Sequence, residues 1–366
     1  MSEKILLEQI KISLRPLKDL LESKDITDIV VFRHDKVAAK KMGEKFRLEE
    51  NVRWERPVDL RMAVNQIARQ MKKKLDRENP IIDARLVEDN SRVNIMIEPV
   101  YDRETFIAIR RFLRHVEDFG DLFGLGTLDE IGLRLISSFI KLRKNIIISG
   151  GTGSGKTSLL NAICKLIPEN EVVVTVEDVK EIKLKNPFWA SLEAKMGLGE
   201  GEQEITMADL VKTTLRVPVS WIIVGEVRGK EIMDLLRAFN TGHAGLGTIH
   251  ANNAELALHA MQRLLMNSSS ISMSAAKEEI SSAIDILIQL KRYPDEIIRI
   301  EEILEIKEVD HKNGMAHYTT NSLYKFNIKE VNPEEIKGDF KIGNKPTFYE
   351  EIKMFDPEIT KIWGQG

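Results

Sequence analysis

The run Gly150-Gly-Thr-Gly-Ser-Gly155-Lys156-Thr157 places three kinds of chemistry within eight residues. Glycines let backbone N–H groups converge on phosphate oxygens without Cβ clashes. Lys156 supplies a cation that reaches the β- and γ-phosphates, and the Thr157 hydroxyl is a hard-oxygen ligand for Mg²⁺. An apolar strand-like triplet, Ile146-Ile147-Ile148, precedes the run and a helix-like pattern over 157–167 follows it. The helix N-terminus then adds its partial positive charge at the phosphates. The expected contacts are Gly150, Gly151, Thr152, Gly153, Ser154, Gly155, Lys156, Thr157 and Ser158, with Thr157 on the metal ion.

Such a site needs a group that activates water. Ile222-Ile223-Val224-Gly225-Glu226 puts a carboxylate at the end of an apolar strand, where ligands sit in open α/β sheets. Glu226 is the candidate general base. Glu177-Asp178 follows a second apolar strand, Val172 to Val176, and offers carboxylates at the same edge, with Asp178 expected on the Mg²⁺ directly or through water. His243 and His250 stand in a Gly-punctuated segment, 241–252, and are candidates to sense the γ-phosphate by hydrogen bonding.

The elements that must position these groups follow from periodicity. Strands at 146–148, 171–176 and 221–224 alternate with helical patterns at 157–167, 208–215, 230–239 and 254–266, which predicts a parallel sheet covered on both faces. Upstream, Leu60, Ala63, Ile67, Met71 and Leu75 form one stripe of an amphipathic helix, 57–75. Val93, Ile95 and Ile97 alternate as a strand. The expected organisation is an α+β domain over 1–101, a linker over 102–126, an α/β P-loop domain over 127–310 and a small mixed appendage over 311–366. Gly120, Gly124 and Gly126 read as a flexible joint, and Thr127-Leu-Asp-Glu130 as a capping box opening a helix through Lys144.

Composition narrows the class. The 366 residues carry a net charge of −3, which gives no indication of nucleic-acid binding by the chain as a whole. The one cysteine, Cys164, lies in an apolar run and reads as a core residue; one cysteine makes neither a disulfide within the chain nor a Cys-rich zinc site. No apolar run approaches the ~20 residues that span a bilayer, and the start shows no secretory h-region, so a cytoplasmic protein is expected, docked at a membrane only through a partner.

Together these boxes resemble the secretion or traffic ATPases, RecA-like hexameric motors of type II and type IV secretion, conjugation and pilus machines. The glycine-rich run resembles their Walker A box, Glu177-Asp178 with Glu181 their Asp box, Gly225-Glu-Val-Arg-Gly229 their atypical Walker B and residues 241–252 their His box. Asp83-Ala-Arg85-Leu86, Ser91-Arg92-Val93 and Ile109-Arg110-Arg111-Phe112 resemble their N-terminal and linker signatures. The resemblance implies ATP as substrate with Mg²⁺, catalytic roles for Glu226, Lys156, His250 and Glu177, and phosphate contacts from Arg92, Arg110 and Arg228, with Arg85 behind them. It also implies a homo-hexamer working with inner-membrane secretion or conjugation machinery. Lack of four cysteines and the Thr-Gly-His-x-Gly and Thr-x-His-Ala-Asn boxes resemble the type IV secretion, conjugal-transfer and Tad-pilus branch. Two departures stand out. Pro218-Val-Ser-Trp221 replaces an Arg-Pro-Asp-Arg run, and Asp89-Asn90-Ser91-Arg92 carries Asn where the family turn has Gly. A Tad-pilus motor, a nucleic-acid helicase or packaging motor, and a non-hydrolysing nucleotide switch remain the alternatives.

Overall fold

The computed structural model describes residues 14–23, 25–41, 44–71, 73–85, 91–111, 118–195, 203–312, 314–332 and 335–364. The chain forms two compact units, Met1–His115 and Val116–Gly366.

In the first unit six strands form one antiparallel sheet: β1 (Ile26–Arg33), β2 (Lys36–Lys41), β3 (Phe46–Leu48), β4 (Ile81–Arg85), β5 (Arg92–Ile97) and β6 (Thr105–Arg110), in the order β3-β2-β1-β6-β5-β4. After the short α1 (Lys18–Glu22), helix α2 (Pro57–Gln70) buries Leu60, Val64 and Ile67 against Ile29, Val31, Ile95, Ile107 and Ile109. Pro57 starts α2 where its missing N–H costs nothing. The helix stops short of the expected Leu75, where the Lys73 N–H turns back to the Ala68 carbonyl.

The structure corrects the expected linker at its first stretch. Thr105–Arg110 is a strand between β1 and β5, with Ile107 and Ile109 wholly buried. Gly120 and Gly124 belong to helix α3 (Phe119–Gly124), closed by a reciprocal capping box between Asp118 and Asp121. Gly126, at φ +70°, is the one member of that cluster in the left-handed region.

The second unit is built on a nine-stranded sheet: β7 (Ile146–Gly150), β8 (Val173–Glu177), β9 (Trp189–Glu193), β10 (Trp221–Val224), β11 (Ala244–His250), β12 (Ile286–Arg292), β13 (Ile298–Lys312), β14 (Met315–Val331) and β15 (Ile336–Ile342), ordered β15-β14-β13-β12-β7-β11-β10-β8-β9. Strands β7 to β12 run parallel, and β13 to β15 add antiparallel at one side. Every residue of β7, β8 and β10 is buried, as strands covered on both faces require. One face carries α4 (Glu130–Lys141) and α5 (Lys156–Cys164). The other carries α6 (Met207–Thr214), α7 (Glu231–Asn240), α8 (Ala254–Ser268) and α9 (Met273–Ala283). Cys164 is buried in the first of these layers.

Two further expectations change. The N-cap of α4 is Asp129 and not Thr127, because Asp129 accepts the Gly132 N–H at 2.9 Å while the Thr127 carbonyl is taken by Ile300 of β13; α4 ends at Lys141. The stretch after 310 is no appendage to the sheet but part of it. Tyr324 of β14 donates its hydroxyl to the Asp129 carboxylate at 2.8 Å, and Phe348 and Ile352, the latter on α10 (Tyr349–Phe355), join the core around Phe139, as does Ile359 of α11 (Pro357–Thr360). Sequence reading missed this because the stripe on β14 is completed by residues nearly two hundred positions upstream.

Candidate nucleotide site

Parallel register brings the chemical groups to one edge of the second sheet. His250 of β11 and Leu290 of β12 are both Cα partners of Gly150 at the end of β7, and Val224 of β10 pairs with Val176 of β8. Gly150, Glu177, Gly225-Glu226 and His250 therefore share the carboxyl-end edge, the place where ligands bind open α/β sheets. The two histidines part company here. His243 precedes β11, with Nδ1 3.2 Å from the Ala238 carbonyl, while the exposed His250 ends that strand, at its other end.

The loop after β7 is shaped by its glycines. A Cβ on Gly150 would meet the Ser154 side chain and stand 3.1 Å from the Leu290 carbonyl. Gly153 and Gly155 sit at φ +67° and +80°, and Gly155 is the N-cap of α5. Within the loop, donors are gathered on two carbonyls. Lys156 Nζ donates to Gly150 O at 2.9 Å and Gly151 O at 3.0 Å; Ser154 Oγ donates to Gly151 O at 2.8 Å and Ser154 N approaches it at 3.4 Å. Burial pulls Lys156 below the ordinary lysine range, an effect that the Glu226 charge opposes. A half-buried cation and N–H and O–H donors turned to one point make an anion cradle. The Thr157 hydroxyl, in the first turn of α5, makes no hydrogen bond among the described residues.

The carboxylates divide by environment. Glu226 is largely buried and paired with Arg228, whose Nη1 lies 3.6 Å from the half-exposed Asp178. The turn carrying Arg228 is closed by Glu231, which accepts the N–H groups of Arg228 and Gly229 at 2.5 and 2.7 Å. Thr248 of β11 donates to the Gly225 carbonyl at 2.7 Å, and Glu177 packs against Gly225, where a Cβ would come 3.1 Å from Glu177 Cγ. Glu177 itself is 2% exposed. Its Oε1 accepts the N–H groups of Glu181 and Ile182 at 2.8 and 2.9 Å, and its Oε2 is buried with no partner. Burial pushes its carboxyl up to about 7. Glu177 thus holds the loop that presents Asp178 and Glu181, beneath the edge where Glu226 stands.

In the first unit the register aligns residues that sequence reading had to take one by one. Arg92 is the Cα partner of both Arg85 and Arg110, and Arg110 of Asp28, so three arginine positions stand side by side across β4, β5 and β6. Arg110 Nε donates to Asp28 Oδ1 at 2.9 Å. Arg111 points elsewhere: Nη1 caps the carbonyls of Leu20, Ser23 and Ile26. Leu86, Asp89, Asn90, Phe112 and Arg114 lie outside the described residues.

Three groups near the site were not anticipated: Glu231, Thr248 and Arg292. Arg292 ends β12 and donates through Nη2 to the Gly153 carbonyl. The available signal was a basic pair, Lys291-Arg292, directly after the largely apolar run 286–290.

A P-loop in a parallel sheet, with a carboxylate after β10, separated from β7 only by β11, defines a RecA-like ATPase. The chain belongs to the type II/IV secretion system protein family, whose profile matches residues 11–331. The conjugal transfer protein TrbB of Rhizobium radiobacter is 33% identical over 269 residues, 72% of this chain and 78% of that one. The type IV secretion system protein VirB11 of Bartonella quintana is 28% identical over 327 residues, 76% of this chain and 88% of its own. Among solved structures, the Yersinia pseudotuberculosis ATPase DotB aligns with a TM-score of 0.56 at 17% identity, covering 97% of this chain and 84% of that one.

Proposed function

We propose that this ATPase is the subunit of a homo-hexameric motor that hydrolyses Mg-ATP to drive macromolecular transport by a type IV secretion or conjugative-transfer apparatus at the cytoplasmic face of the inner membrane. The observation that carries the nucleotide chemistry is the loop itself: Lys156, Ser154 Oγ and Ser154 N converge on Gly150 and Gly151 carbonyls, where phosphate oxygens would replace those weak acceptors. Conjugative transfer is favoured by the likeness to TrbB and VirB11. No helix among the described residues is long and apolar enough to cross a membrane, so a membrane partner would receive the motion.

The residue roles follow from the placements. Gly150 to Ser158 wrap the phosphates, and Lys156 neutralises the β- and γ-oxygens. Thr157 and Asp178 fit Mg²⁺, being a hydroxyl without a protein partner and an accessible carboxylate; the metal ion would neutralise charge on the phosphates. Glu226 accepts the proton of the attacking water once Arg228 turns from it toward phosphate. His250, beside Gly150, senses the γ-phosphate. Glu177 shapes the loop under this edge. Arg92 and Arg110, carried on the other unit, stabilise developing charge on a nucleotide, which suits a ring in which neighbouring subunits complete each other's sites.

Turnover and nucleotide binding of Glu226→Gln test the base. The amide is nearly isosteric and cannot accept the proton, so hydrolysis should drop by roughly 10²–10⁴-fold while binding of an ATP analogue is retained. Parent-like hydrolysis would remove Glu226 from the mechanism.

A further inference from the structure

The P-loop is held from outside as well as from within. Strand β12 pairs in parallel with β7, Leu290 opposite Gly150, so Arg292 emerges two residues past the point where the P-loop begins. Its guanidinium lies between two partners. Nη2 donates to the Gly153 carbonyl, and Nη1 pairs with Glu296 Oε2 at 3.2 Å in the turn between β12 and β13. That turn is well anchored. Asp295 takes two bonds from Arg299 at 2.8 and 3.0 Å and accepts the N–H groups of Ile297 and Ile336 at 3.1 Å each. The Asp295 and Arg299 side chains are 2% and 8% exposed, and Arg299 lies 4.9 Å over Phe326 of β14 and 5.3 Å over Tyr293. At the start of β13, Ile298 stands 3.5 Å from the place of a Cβ on Gly155.

We propose that Arg292 is a positioning residue for the phosphate cradle, setting the orientation of the Gly153–Ser154 peptide. The peptide unit is planar and trans, so its C=O and N–H point in opposite directions. A guanidinium that takes the Gly153 oxygen from outside thereby turns the Ser154 N–H inward, where it already approaches Gly151 O at 3.4 Å. Gly153 has no Cβ and sits at φ +67°, so nothing in its own side chain resists a flip of that peptide. The bond is charge-assisted, and an N–H whose own peptide carbonyl is engaged is the better donor. The turn between β12 and β13 is in this way tied to the loop.

This rests on the nucleotide site proposed above and is read out separately from it. Affinities for fluorescent ADP and ATP analogues, with KM and kcat, would be measured for the parent, Arg292→Met, Arg292→Lys and Glu296→Gln. Methionine keeps the packing of the stem and removes the donors. A cradle effect weakens ADP and ATP analogue alike, by about tenfold for methionine. It raises KM with kcat changed by less than about threefold, is partly rescued by lysine, and appears in smaller degree in Glu296→Gln. A guanidinium that only braced the fold would lower the melting temperature without this split. Methionine affinities within twofold of the parent, or a loss of kcat at unchanged affinity, would overturn the proposal. Should the methionine variant not fold, parent-like affinities in Glu296→Gln would overturn it equally. A parent that binds neither nucleotide would overturn the site itself; a parent that binds both while Arg292→Met binds equally overturns only the role of Arg292.

Discussion

Two regions of this molecule gather charged groups by opposite means. At the carboxyl edge of the second sheet, Gly150, Glu226 and His250 each come from the end of a parallel strand, and each belongs to a short local motif. On the first sheet, Arg85, Arg92 and Arg110 come from three antiparallel strands, and register alone sets them side by side. The first arrangement wraps charges around a backbone cradle with its own cation. The second sets three arginine positions in a row on a sheet, with Asp28 beside Arg110 as a carboxylate partner. The comparison teaches that the P-loop edge gathers its donors within one loop, whereas the arginine row exists only through register between strands.

The sharpest way to break this comparison is to remove the cation of the cradle. Lys156→Ala leaves backbone donors in place but no charge inside the loop, and turnover should fall by at least roughly 10³-fold, with nucleotide binding lost or severely weakened. If the variant binds Mg-ATP and hydrolyses it like the parent, the edge is not a self-sufficient site.

A smaller effect is expected from the row. Arg110→Ala deletes an exposed side chain whose pair with Asp28 is worth at most about 1 kcal/mol, so the fold should stand. A group that meets a nucleotide only as charge develops should lower kcat by roughly a hundredfold, while ATP affinity moves by a few-fold. Equal loss of affinity and turnover would make Arg110 a binding residue like Lys156 and erase the contrast between the two regions.

The least effect tests the division within the edge, between groups that meet phosphate and the buried Glu177 that holds their loop. Its folded pKa, about 7, lies above the ordinary 4.5, so the folded state binds the extra proton between those values. Stability from this carboxyl is full below about pH 4.5 and is lost as pH rises through about 7. Glu177→Gln keeps an acceptor for the Glu181 and Ile182 N–H groups and cannot ionise. The melting temperature of the variant should therefore gain on that of the parent between pH 5 and 7 and level off above. A difference that does not change with pH would place the Glu177 carboxyl in contact with a cation or with water.

How legible each region was in the sequence follows from the same contrast. The loop 150–157, Glu226 and the strands under them were readable because each function lies within a few residues of its own scaffold. Strand β6 was read as linker, since its Ile107 and Ile109 alternate over only six residues and neighbouring arginines and glycines resemble a joint. The residues after 310 gave charges and aromatics without a partner in view; Tyr324 finds Asp129 and Phe348 finds Phe139 only when β14 and α10 pack.

The sequence by itself determined the phosphate loop, the carboxylate that follows the β10 strand, and the alternation of buried strands with amphipathic helices. Those depend on backbone freedom at glycine and on periodicity, which are local. Tertiary structure alone decided which carboxylate is buried and which meets solvent, that His250 reaches the edge while His243 does not, and that Arg292 grips Gly153. Register between strands and the dielectric around a side chain are properties of neighbours distant in the chain, and no spacing of residues records them.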